Sequence, residues 1–436
     1  MKKLFAILSA FATFFVGGAY EIIDGTLEES VVYPGTRHTF KVSVPDGYDP
    51  DKPQALYVGF DGILYNAPAV IDSLISTGDI PSMVGVYLQP GVIVADGEVV
   101  DYNRSNEFDA IDSRMATFIE TELLPAVRCM KTSSGQLIKF SDNPDDHAVS
   151  GASSGGIAAF VAAWTRPDLF HRVYTTCGTY VSMRGGDLLP ALVRKTEPKP
   201  IRFVIHDGSR DAWNPLFGHW YEQNLLLASS LDFAGYDIKT VWDDGAHDIR
   251  NGAKLFPEAM KYLWRDYPAA VKAGQTKNNK LTDLLENATA WVEDSKPASM
   301  APLTVKYPNG KFSVETEPGS SWLYAFYTDS NGNKVNRRKA YLLHDTSFAD
   351  PEIKGMSFDS DGNLFVATHD GIQILDQNGR VRAILPYPVR GNQTEFAFIG
   401  NKLYISIDGK WYSRSINAKA VHPDAVSIEV KSQGPA

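Results

Sequence analysis

The fold is decided by the stretch Ala148-Val149-Ser150-Gly151-Ala152-Ser153-Ser154-Gly155-Gly156. Its apolar approach indicates a strand, and the Ala-rich segment 157–164 that follows indicates a helix. Between them lies the pattern Gly-x-Ser-x-Gly, in which small residues flank a serine at a sharp strand-to-helix turn. The free N–H groups at the start of such a helix face the serine. The stretch therefore predicts Ser153 as a nucleophile, with an ordinary glycine-rich turn as the alternative.

The composition bounds the class of protein. The chain has 436 residues, enough for two domains with separate cores, and 44% of them are hydrophobic. A formal net charge of −10 argues against nucleic acid or an anionic membrane as the partner. No segment is long and apolar enough to span a bilayer. These features indicate a globular protein that acts on something other than nucleic acid.

The N-terminal residues have the pattern of a secretory signal. Lys2 and Lys3 precede an apolar run over residues 4–16, and Gly17-Gly18-Ala19 offers small residues for cleavage. We therefore expect a cleaved signal peptide over 1–19 and a secreted or periplasmic protein.

Strand and helix patterns alternate over residues 20–269. The segments 55–60 and 83–88 are short continuous apolar runs, which are typical of strands buried on both faces. Further strands are predicted at 39–44, 173–176, 202–205 and 238–242, and helices at 67–75, 107–127, 217–233 and 256–267. This order predicts an α/β domain with a mostly parallel sheet covered on both faces.

The character of the sequence changes after residue 269. Residues 270–300 are polar and are expected to form a linker with one helical piece. Residues 301–436 contain short strand patterns separated by turns. The pairs Leu323-Tyr324, Leu364-Phe365 and Leu403-Tyr404 recur at intervals of about 40 residues, which is typical of a four-stranded propeller blade. We expect a small all-β, partial-propeller-like domain, with an irregular sandwich as the alternative.

A serine nucleophile needs a base and an acid to orient that base. His247 is the predicted base, because it follows the last predicted strand and a flexible glycine. His206 and His219 are the alternative bases, although a structural role is the simpler explanation for each of these two. The loop after 202–205 carries two acids, Asp211 and Asp207. Asp211 lies further past the strand end and is the predicted acid, whereas Asp207-Gly208 also fits a plain turn.

Stabilising an oxyanion requires two backbone donors. One is the N–H that follows the nucleophile, on Ser154, and the other belongs to the loop Asp61-Gly62-Ile63 after an early strand. The glycine allows this backbone to approach an ester carbonyl closely.

Other residues are weaker candidates for substrate binding. Arg104 and Glu107 either line the pocket or pair and cap a helix. Trp213 and Trp220 either wall an aromatic acyl pocket or pack in the core.

Two cysteines, Cys129 and Cys177, either form a disulfide or remain separate buried thiols. No histidine cluster accompanies them, so no metal and no cofactor is expected.

Several motifs in order resemble the Putative esterase family, which includes feruloyl and enterochelin-type esterases. They are Phe60-Asp61-Gly62, Asn103-Arg104-Ser105-Asn106-Glu107-Phe108-Asp109, Gly151-Ala152-Ser153-Ser154-Gly155-Gly156, Arg184-Gly185-Gly186, Asp207-Gly208-Ser209-Arg210-Asp211 and Gly245-Ala246-His247. The resemblance covers roughly residues 20–268. It implies a metal-free serine esterase on an α/β-hydrolase sheet. The implied site residues are Ser153 as nucleophile, Asp211 as acid, His247 as base, and the amides of Ile63 and Ser154 as the oxyanion hole.

The C-terminal stretch Asp361-Gly362-Asn363-Leu364-Phe365-Val366-Ala367-Thr368 resembles gluconolactonase-type propeller sequence, without the calcium-binding acidic set. We expect an exported esterase that acts through an acyl-enzyme, with feruloyl or acetyl esters of plant polysaccharide as substrates. A siderophore ester or a general short-chain ester is the alternative substrate. Outside this class, the alternatives are a non-catalytic binding protein on a hydrolase scaffold and a metal-dependent lactonase. The oligomeric state stays open.

Overall fold

The computed structural model describes residues 20–52 and 54–421 of the chain. Within them, residues 20–191 and 198–275 form one compact unit, and residues 192–197 and 276–421 form a second. The signal peptide predicted for 1–19 lies outside the described residues.

The first unit is built on strands separated by helices. The strands are β1 (Glu21–Leu27), β2 (Thr36–Val44), β3 (Ala55–Phe60), β4 (Met83–Leu88), β5 (Val92–Ala95), β6 (Glu98–Tyr102), β7 (His147–Ala152), β8 (Arg172–Thr176), β9 (Arg202–Arg210), β10 (Trp213–Asn214), β11 (Gly218–His219) and β12 (Asp237–Ala246). The helices up to residue 275 are α1 (Ala67–Ser76), α2 (Arg104–Phe108), α3 (Arg114–Phe118), α4 (Leu124–Cys129), α5 (Ser154–Thr165), α6 (Leu189–Lys195), α7 (Trp220–Phe233) and α8 (Arg250–Trp264).

One ten-stranded sheet organises this unit, in the order β12-β9-β8-β7-β3-β4-β2-β5-β6 with β1 paired to β2. The strands from β12 to β4 are parallel, and those beyond β4 are antiparallel. Every residue of β3, β4, β7 and β8 is buried, as their continuous apolar composition requires of strands covered on both faces. The predicted α/β-hydrolase sheet is confirmed.

On one face of the sheet, α1 and α8 cover an aromatic core. Phe256 of α8 packs against the rings of Tyr57, Tyr65 and Tyr174, with centroids 5.2–5.8 Å apart. The helix α5 lies directly after β7, and its residues from 154 to 164 are all buried. A helix that is apolar on all sides is expected to lie inside the unit.

The long helix predicted over 107–127 is interrupted. It is replaced by α2, a break at residues 109–113, and then α3, a π-helical turn at Ile119–Leu123 and α4. The apolar spacing was helical on both sides of the break, so periodicity alone did not reveal it. Ser105 donates a hydrogen bond to Asp109 at 2.7 Å, and this polar contact lies at the end of α2.

The second unit is mostly β-structure. Its strands are β13 (Val292–Asp294), β14 (Thr304–Lys306), β15 (Ser313–Glu315), β16 (Trp322–Thr328), β17 (Lys334–Leu342), β18 (Gly355–Phe358), β19 (Leu364–Thr368), β20 (Gly371–Leu375), β21 (Val381–Leu385), β22 (Gln393–Ile399), β23 (Lys402–Ile407) and β24 (Lys410–Ser415). They form antiparallel sheets of four strands each, in the orders β13-β24-β23-β22, β14-β15-β16-β17 and β18-β19-β20-β21. The expected all-β character is confirmed, and the propeller-like arrangement stays a prediction.

The segment 270–300, expected to be a linker, belongs to the second unit from residue 276 onward. It contains the helix α9 (Asn279–Leu285), whose Leu281 and Leu284 are buried in the apolar core of that unit. It also contains β13, which pairs with β24. The helical piece expected in this segment is α9, and its two buried leucines, three residues apart, share one helix face.

The cysteines do not form a disulfide: both are free, Cys129 exposed and Cys177 buried. The alternative of separate thiols therefore holds, although Cys129 is not buried as that alternative assumed. None of the helices formed by the described residues has the length and apolar content needed to cross a lipid bilayer.

Candidate active site

Ser153 lies in the sharp turn between β7 and α5. Its backbone has φ 57° and ψ −124°, a conformation that non-glycine residues adopt only when their surroundings enforce it. Its N–H donates to the carbonyl of Thr176 at 3.0 Å, and its carbonyl accepts from the N–H of Thr179 at 3.1 Å. The segment after β8 thus holds the turn, and it presents the hydroxyl group of Ser153 at the carboxyl edge of the sheet.

The flanking glycines are required by close approach of neighbouring backbone. A Cβ on Gly151 would lie 2.2 Å from the carbonyl oxygen of Gly155. A Cβ on Gly155 would lie 2.8 Å from a carboxylate oxygen of Asp61 and 3.1 Å from Cβ of Phe60. The Gly-x-Ser-x-Gly pattern therefore reflects two contacts that a larger residue would break.

Three predicted side chains meet at this edge. Nε2 of His247 lies 2.9 Å from Oγ of Ser153, and Nδ1 of His247 lies 2.5 Å from Oδ1 of Asp211. Each residue follows the carboxyl end of a parallel strand, namely β7, β9 or β12. With Nδ1–H donating to Asp211, Nε2 is free to accept the hydrogen bond of the serine hydroxyl.

The two acids differ in their contacts. Asp211 contacts His247, while Asp207 is buried behind it and accepts the N–H of Gly208 at 2.7 Å. Burial opposes ionisation of Asp211, but hydrogen bonds from His247 and Asp207 outweigh it and hold the pKa of Asp211 below its ordinary value. Burial, together with the neighbouring Asp211, raises the pKa of Asp207 to about 9. The geometry thus joins His247 to Asp211 and not to Asp207.

Ile63 and Ser154, the predicted backbone donors to an oxyanion, lie in the loop after β3 and at the first position of α5. Asp61 and Gly62 both have positive φ, 63° and 74°, and the N–H of Gly62 donates to the carbonyl of Leu88 at 2.9 Å. Ser154 is the first residue of α5, whose opening N–H groups have no intrahelical acceptor. In the part of the chain that the structure describes, neither the Ile63 nor the Ser154 N–H has a protein acceptor. Both remain available to an oxyanion.

Arg104 supports the loop that carries Ile63. Its Nε and Nη2 donate to the two carboxylate oxygens of Asp61 at 2.7 and 2.8 Å. This two-point contact fixes the plane of the carboxylate, which also faces Gly155. Arg104 therefore links the start of α5 to the loop after β3.

The prediction of Glu107 as a substrate-binding residue is wrong. Its side chain is buried and lies 3.1 Å from Nε2 of His38, and it accepts from the N–H of Gly91 at 2.9 Å and from Asn103 at 2.8 Å. A carboxylate with these internal partners and no exposed surface cannot contact a substrate. The pairing alternative holds, although the partner is His38 and not Arg104.

The aromatic candidates behave differently from each other. Trp213 is 66% exposed and begins the short β10–β11 hairpin beside Asp211. Trp220 is buried, and its ring meets that of His247 edge-on with centroids 5.8 Å apart. Trp213 is thus free to contact a ligand, whereas Trp220 packs against His247.

Thr179 was missed by the sequence analysis. Its Oγ1 lies 3.3 Å from Oγ of Ser153 and accepts the indole N–H of Trp220 at 3.3 Å. Its position three residues after β8, next to Gly178, is the only sequence signal for it. The competing histidines lie elsewhere: His206 contacts Asp243 at 2.9 Å, and His219 lies in β11.

Among the described residues, two groups of side chains have the residue types of a metal site. One is Cys177, Asp211 and His247, whose ligand-type atoms lie within 4.8 Å of one another. Burial and the two nearby acids, Asp211 and Asp207, raise the pKa of the Cys177 thiol to about 12. Nδ1 of His247 is already hydrogen-bonded to Asp211. The arrangement of His247 and Asp211 therefore fits a hydrogen-bonded triad with Ser153 better than a metal site that includes Cys177. The other is Asp345, His369 and Asp370 in the second unit, where the histidine lies 3.6 and 3.3 Å from the two carboxylates.

Comparison with known proteins gives one family match. The sequence model described as Putative esterase matches residues 32–283, which is more than half of the chain and includes all three residues of the hydrogen-bonded triad. No curated protein sequence matches the chain.

Solved structures are similar to part of the chain. A ferulic acid esterase shares 16% identity over 57% of this chain and 99% of its own, with a TM-score of 0.44. The enterobactin esterase FES from Shigella flexneri shares 22% identity over 52% of this chain and 56% of its own, with a TM-score of 0.41. The ferric enterobactin esterase from Salmonella typhimurium shares 18% identity over 56% of this chain and 58% of its own, with a TM-score of 0.43. The chain thus spans little more than half the length of these two enterobactin esterases.

Proposed function

The chain belongs to the Putative esterase family, and from this premise we propose that it is a serine carboxylic-ester hydrolase. In this proposal Ser153 is the nucleophile, His247 the general base and Asp211 the acid that orients it. The observation that carries the proposal is the unbroken series of hydrogen bonds from Oγ of Ser153 through His247 to Asp211.

Acylation begins with the hydroxyl group of Ser153. Its Oγ attacks the ester carbonyl carbon while Nε2 of His247 takes the hydroxyl proton. The ionised Asp211 stabilises the imidazolium that forms and keeps Nδ1 as the protonated nitrogen before attack. His247 then gives its proton to the leaving alcohol as the tetrahedral intermediate collapses to the acyl-enzyme.

The negative oxygen of the intermediate is stabilised by backbone donors. The N–H groups of Ile63 and Ser154 supply them, and each such donor is worth about 10²–10³ in kcat. Deacylation reverses the roles: His247 activates a water that attacks the acyl carbonyl, and Oγ of Ser153 leaves with the proton from the imidazolium. The step needs no metal and no organic cofactor.

The exposed apolar side chains of the loop that follows Asp211 support an aromatic acyl group as the substrate. Trp213 and Leu216 are among the most exposed large apolar side chains, and Phe217 is partly exposed in the same loop. Exposed rings next to a polar site suit a flat aromatic acid such as a ferulate. We therefore propose feruloyl esters of plant polysaccharide as substrates, with acetyl esters as the smaller acyl alternative. The basic and apolar residues of segment 1–19 support action outside the cytoplasm.

A panel of feruloyl, acetyl, short alkyl and catecholate-siderophore esters tests this proposal. We expect the wild type to hydrolyse feruloyl esters with the highest kcat/KM, and Ser153→Ala to lower kcat by about 10⁴–10⁶-fold. Ser209→Ala is the matched control, because Ser209 is an exposed serine of the same carboxyl edge, and it should keep wild-type activity.

Each other result has a defined meaning. Preference for the siderophore ester or for short alkyl esters replaces the substrate class and leaves the mechanism in place. Activity that survives Ser153→Ala, or that a chelator removes, contradicts the serine mechanism. A wild type that hydrolyses none of the esters supports a binding protein on a hydrolase scaffold.

A further inference from the structure

Two carboxyl groups face each other behind His247. Asp207 and Asp211 lie near the carboxyl end of β9, and both side chains are buried. The two groups are within hydrogen-bonding reach of each other. Neither Oδ2 of Asp207 nor Oδ2 of Asp211 has a hydrogen-bond partner among the other described residues.

Two adjacent buried carboxylates cannot both be ionised, because their repulsion is weakly screened in a low-dielectric interior. One of them must keep a proton, and that proton is available for a hydrogen bond between the two carboxyl groups. A hydrogen bond between the two carboxyl groups gives both unpartnered Oδ2 atoms a hydrogen-bond partner.

The contacts decide which group keeps the proton. Asp211 accepts the Nδ1–H of His247 and the N–H of Ala212, and both donors stabilise a carboxylate. Among the described residues, Asp207 accepts only the N–H of Gly208 from the backbone and makes no ion pair. Hydrogen-bond donors stabilise the ionised form of Asp211 more than that of Asp207, so the proton belongs to Asp207.

We propose that Asp207 is a neutral carboxylic acid that donates a hydrogen bond to Oδ2 of Asp211 and so positions the acid of the triad. The inference rests on the proposed function, because it assigns Asp211 the part of triad acid. Asp207 is a positioning residue: it acts through Asp211 and touches neither Ser153 nor substrate.

The other titratable groups around Asp207 come from neighbouring strands. Asp243 on β12 adds negative charge, although it is paired with His206 at 2.9 Å. Cys177 after β8 and Tyr180 are buried and neutral at pH 7. No cation in the described part of the chain forms an ion pair with Asp207. The surroundings therefore favour the protonated form.

Ionisation of Asp207 would undo its role. It removes the donor to Asp211 and places a second negative charge beside the carboxylate, which frees the Asp211 side chain to turn away from His247. The pKa of Asp207, raised by burial and by Asp211 to about 9, sets the pH at which this happens. The kcat/KM of the wild type should therefore fall as pH rises through about 9.

The test is the pH profile of Asp207→Asn and Asp207→Leu, with the rates of Ser153→Ala subtracted as background. The amide of Asn keeps a donor of the same shape, so we expect kcat/KM within about threefold of wild type at pH 7 and no fall at alkaline pH. Leu fills similar space without a donor, and we expect kcat to drop by about ten- to a hundredfold with little change in KM. Thermal melts identify variants that fail to fold.

A second readout does not depend on activity. The infrared absorption of a protonated carboxylic acid, measured at pH 7 on the whole protein, should be stronger in wild type than in Asp207→Asn and Asp207→Leu. In wild type this difference should vanish as pH rises through about 9.

Three results would overturn the proposal. They are a folded Asp207→Asn as inactive as Asp211→Asn, an alkaline fall that Asp207→Asn leaves unchanged, and no infrared difference at pH 7. If instead the wild type hydrolyses no ester, the proposed function fails, and the infrared comparison still decides the protonation of Asp207.

Discussion

Arg104→Met separates the catalytic role of an ion pair from its contribution to stability. Arg104 donates to both oxygens of Asp61, and Asp61 has a left-handed backbone two residues before Ile63. Met keeps the length of the side chain but supplies no donor. We expect the Asp61 carboxylate to lose its fixed orientation and the N–H of Ile63 to leave the direction of the oxyanion.

The magnitudes of the two effects differ. The Arg104 and Asp61 side chains are 37% and 20% exposed, and a partly exposed pair stabilises a protein by about 1 kcal/mol or less. In a domain of this size that corresponds to at most about 4 °C in Tm. A displaced oxyanion donor lowers kcat by about 100-fold, because donor strength depends on geometry within the site. The loss in kcat should therefore greatly exceed what the stability change can explain.

The assay compares Arg104→Met with Arg114→Met. Arg114 forms a similar ion pair with Asp112 at 2.9 Å, with side chains 52% and 20% exposed. We expect both variants to show small Tm changes and only Arg104→Met to lose kcat, with KM nearly constant. A kcat within threefold of wild type for Arg104→Met would refute the reasoning. A rise in KM at constant kcat would instead make Arg104 a substrate-binding residue.

Three other predictions follow from the site and its surroundings. Gly155→Ala should lower kcat at least tenfold and destabilise the first unit by about 1–3 kcal/mol, because the new Cβ meets Asp61 at 2.8 Å. Steady-state rates measure the first effect and urea unfolding the second, and wild-type values in both experiments would contradict the contact. A thiol reagent should modify the exposed Cys129 quickly in the folded protein and Cys177 only after unfolding, because Cys177 is buried and its pKa is raised to about 12. Equal modification rates for the two cysteines in the folded protein would contradict this prediction. Trp213→Ala should raise KM for feruloyl esters about tenfold and leave acetyl esters unchanged, whereas equal effects on both esters would remove Trp213 from the acyl site.

Local pattern predicted the α/β sheet well, because the signal for each strand lies within the strand itself. The continuous apolar runs at 55–60 and 83–88 are β3 and β4 with the same bounds. The elbow was local only in part. Gly155 is small because a Cβ there would meet Phe60 and Asp61, far earlier in the chain. Gly151, in contrast, is small because a Cβ there would meet the carbonyl of Gly155, four residues later, which is a local signal like those of β3 and β4. Such signals need no knowledge of distant partners.

The juxtaposition of Ser153, Asp211 and His247 followed from topology. Each residue was predicted just after a strand, and the carboxyl ends of parallel strands share one edge of a sheet. Which side chains touch within that edge depends on rotamers that no sequence pattern specifies. The contact of Thr179 with Ser153 is of this kind, and so is the burial of Asp207 behind Asp211.

The errors concern partners far apart in the chain. Glu107 is bound by His38, 69 residues away, and nothing near Glu107 indicates that contact. The linker assignment of residues 270–300 stays a prediction, and the polar composition of this segment did not show that Leu281 and Leu284 pack into the core of the second unit. For the cysteines, the sequence contained no information on the distance between the two thiols, and the structure leaves both unpaired.

The most direct test of the account is active-site labelling with a fluorophosphonate, which reacts only with an activated serine. Intact mass should show one adduct per chain, and peptide mapping should place it on Ser153. Labelling should vanish in Ser153→Ala and slow by several orders of magnitude in His247→Ala. An adduct on another residue, or ester hydrolysis at the wild-type rate in a chain that takes up no label, would contradict the claim that Ser153 is the nucleophile.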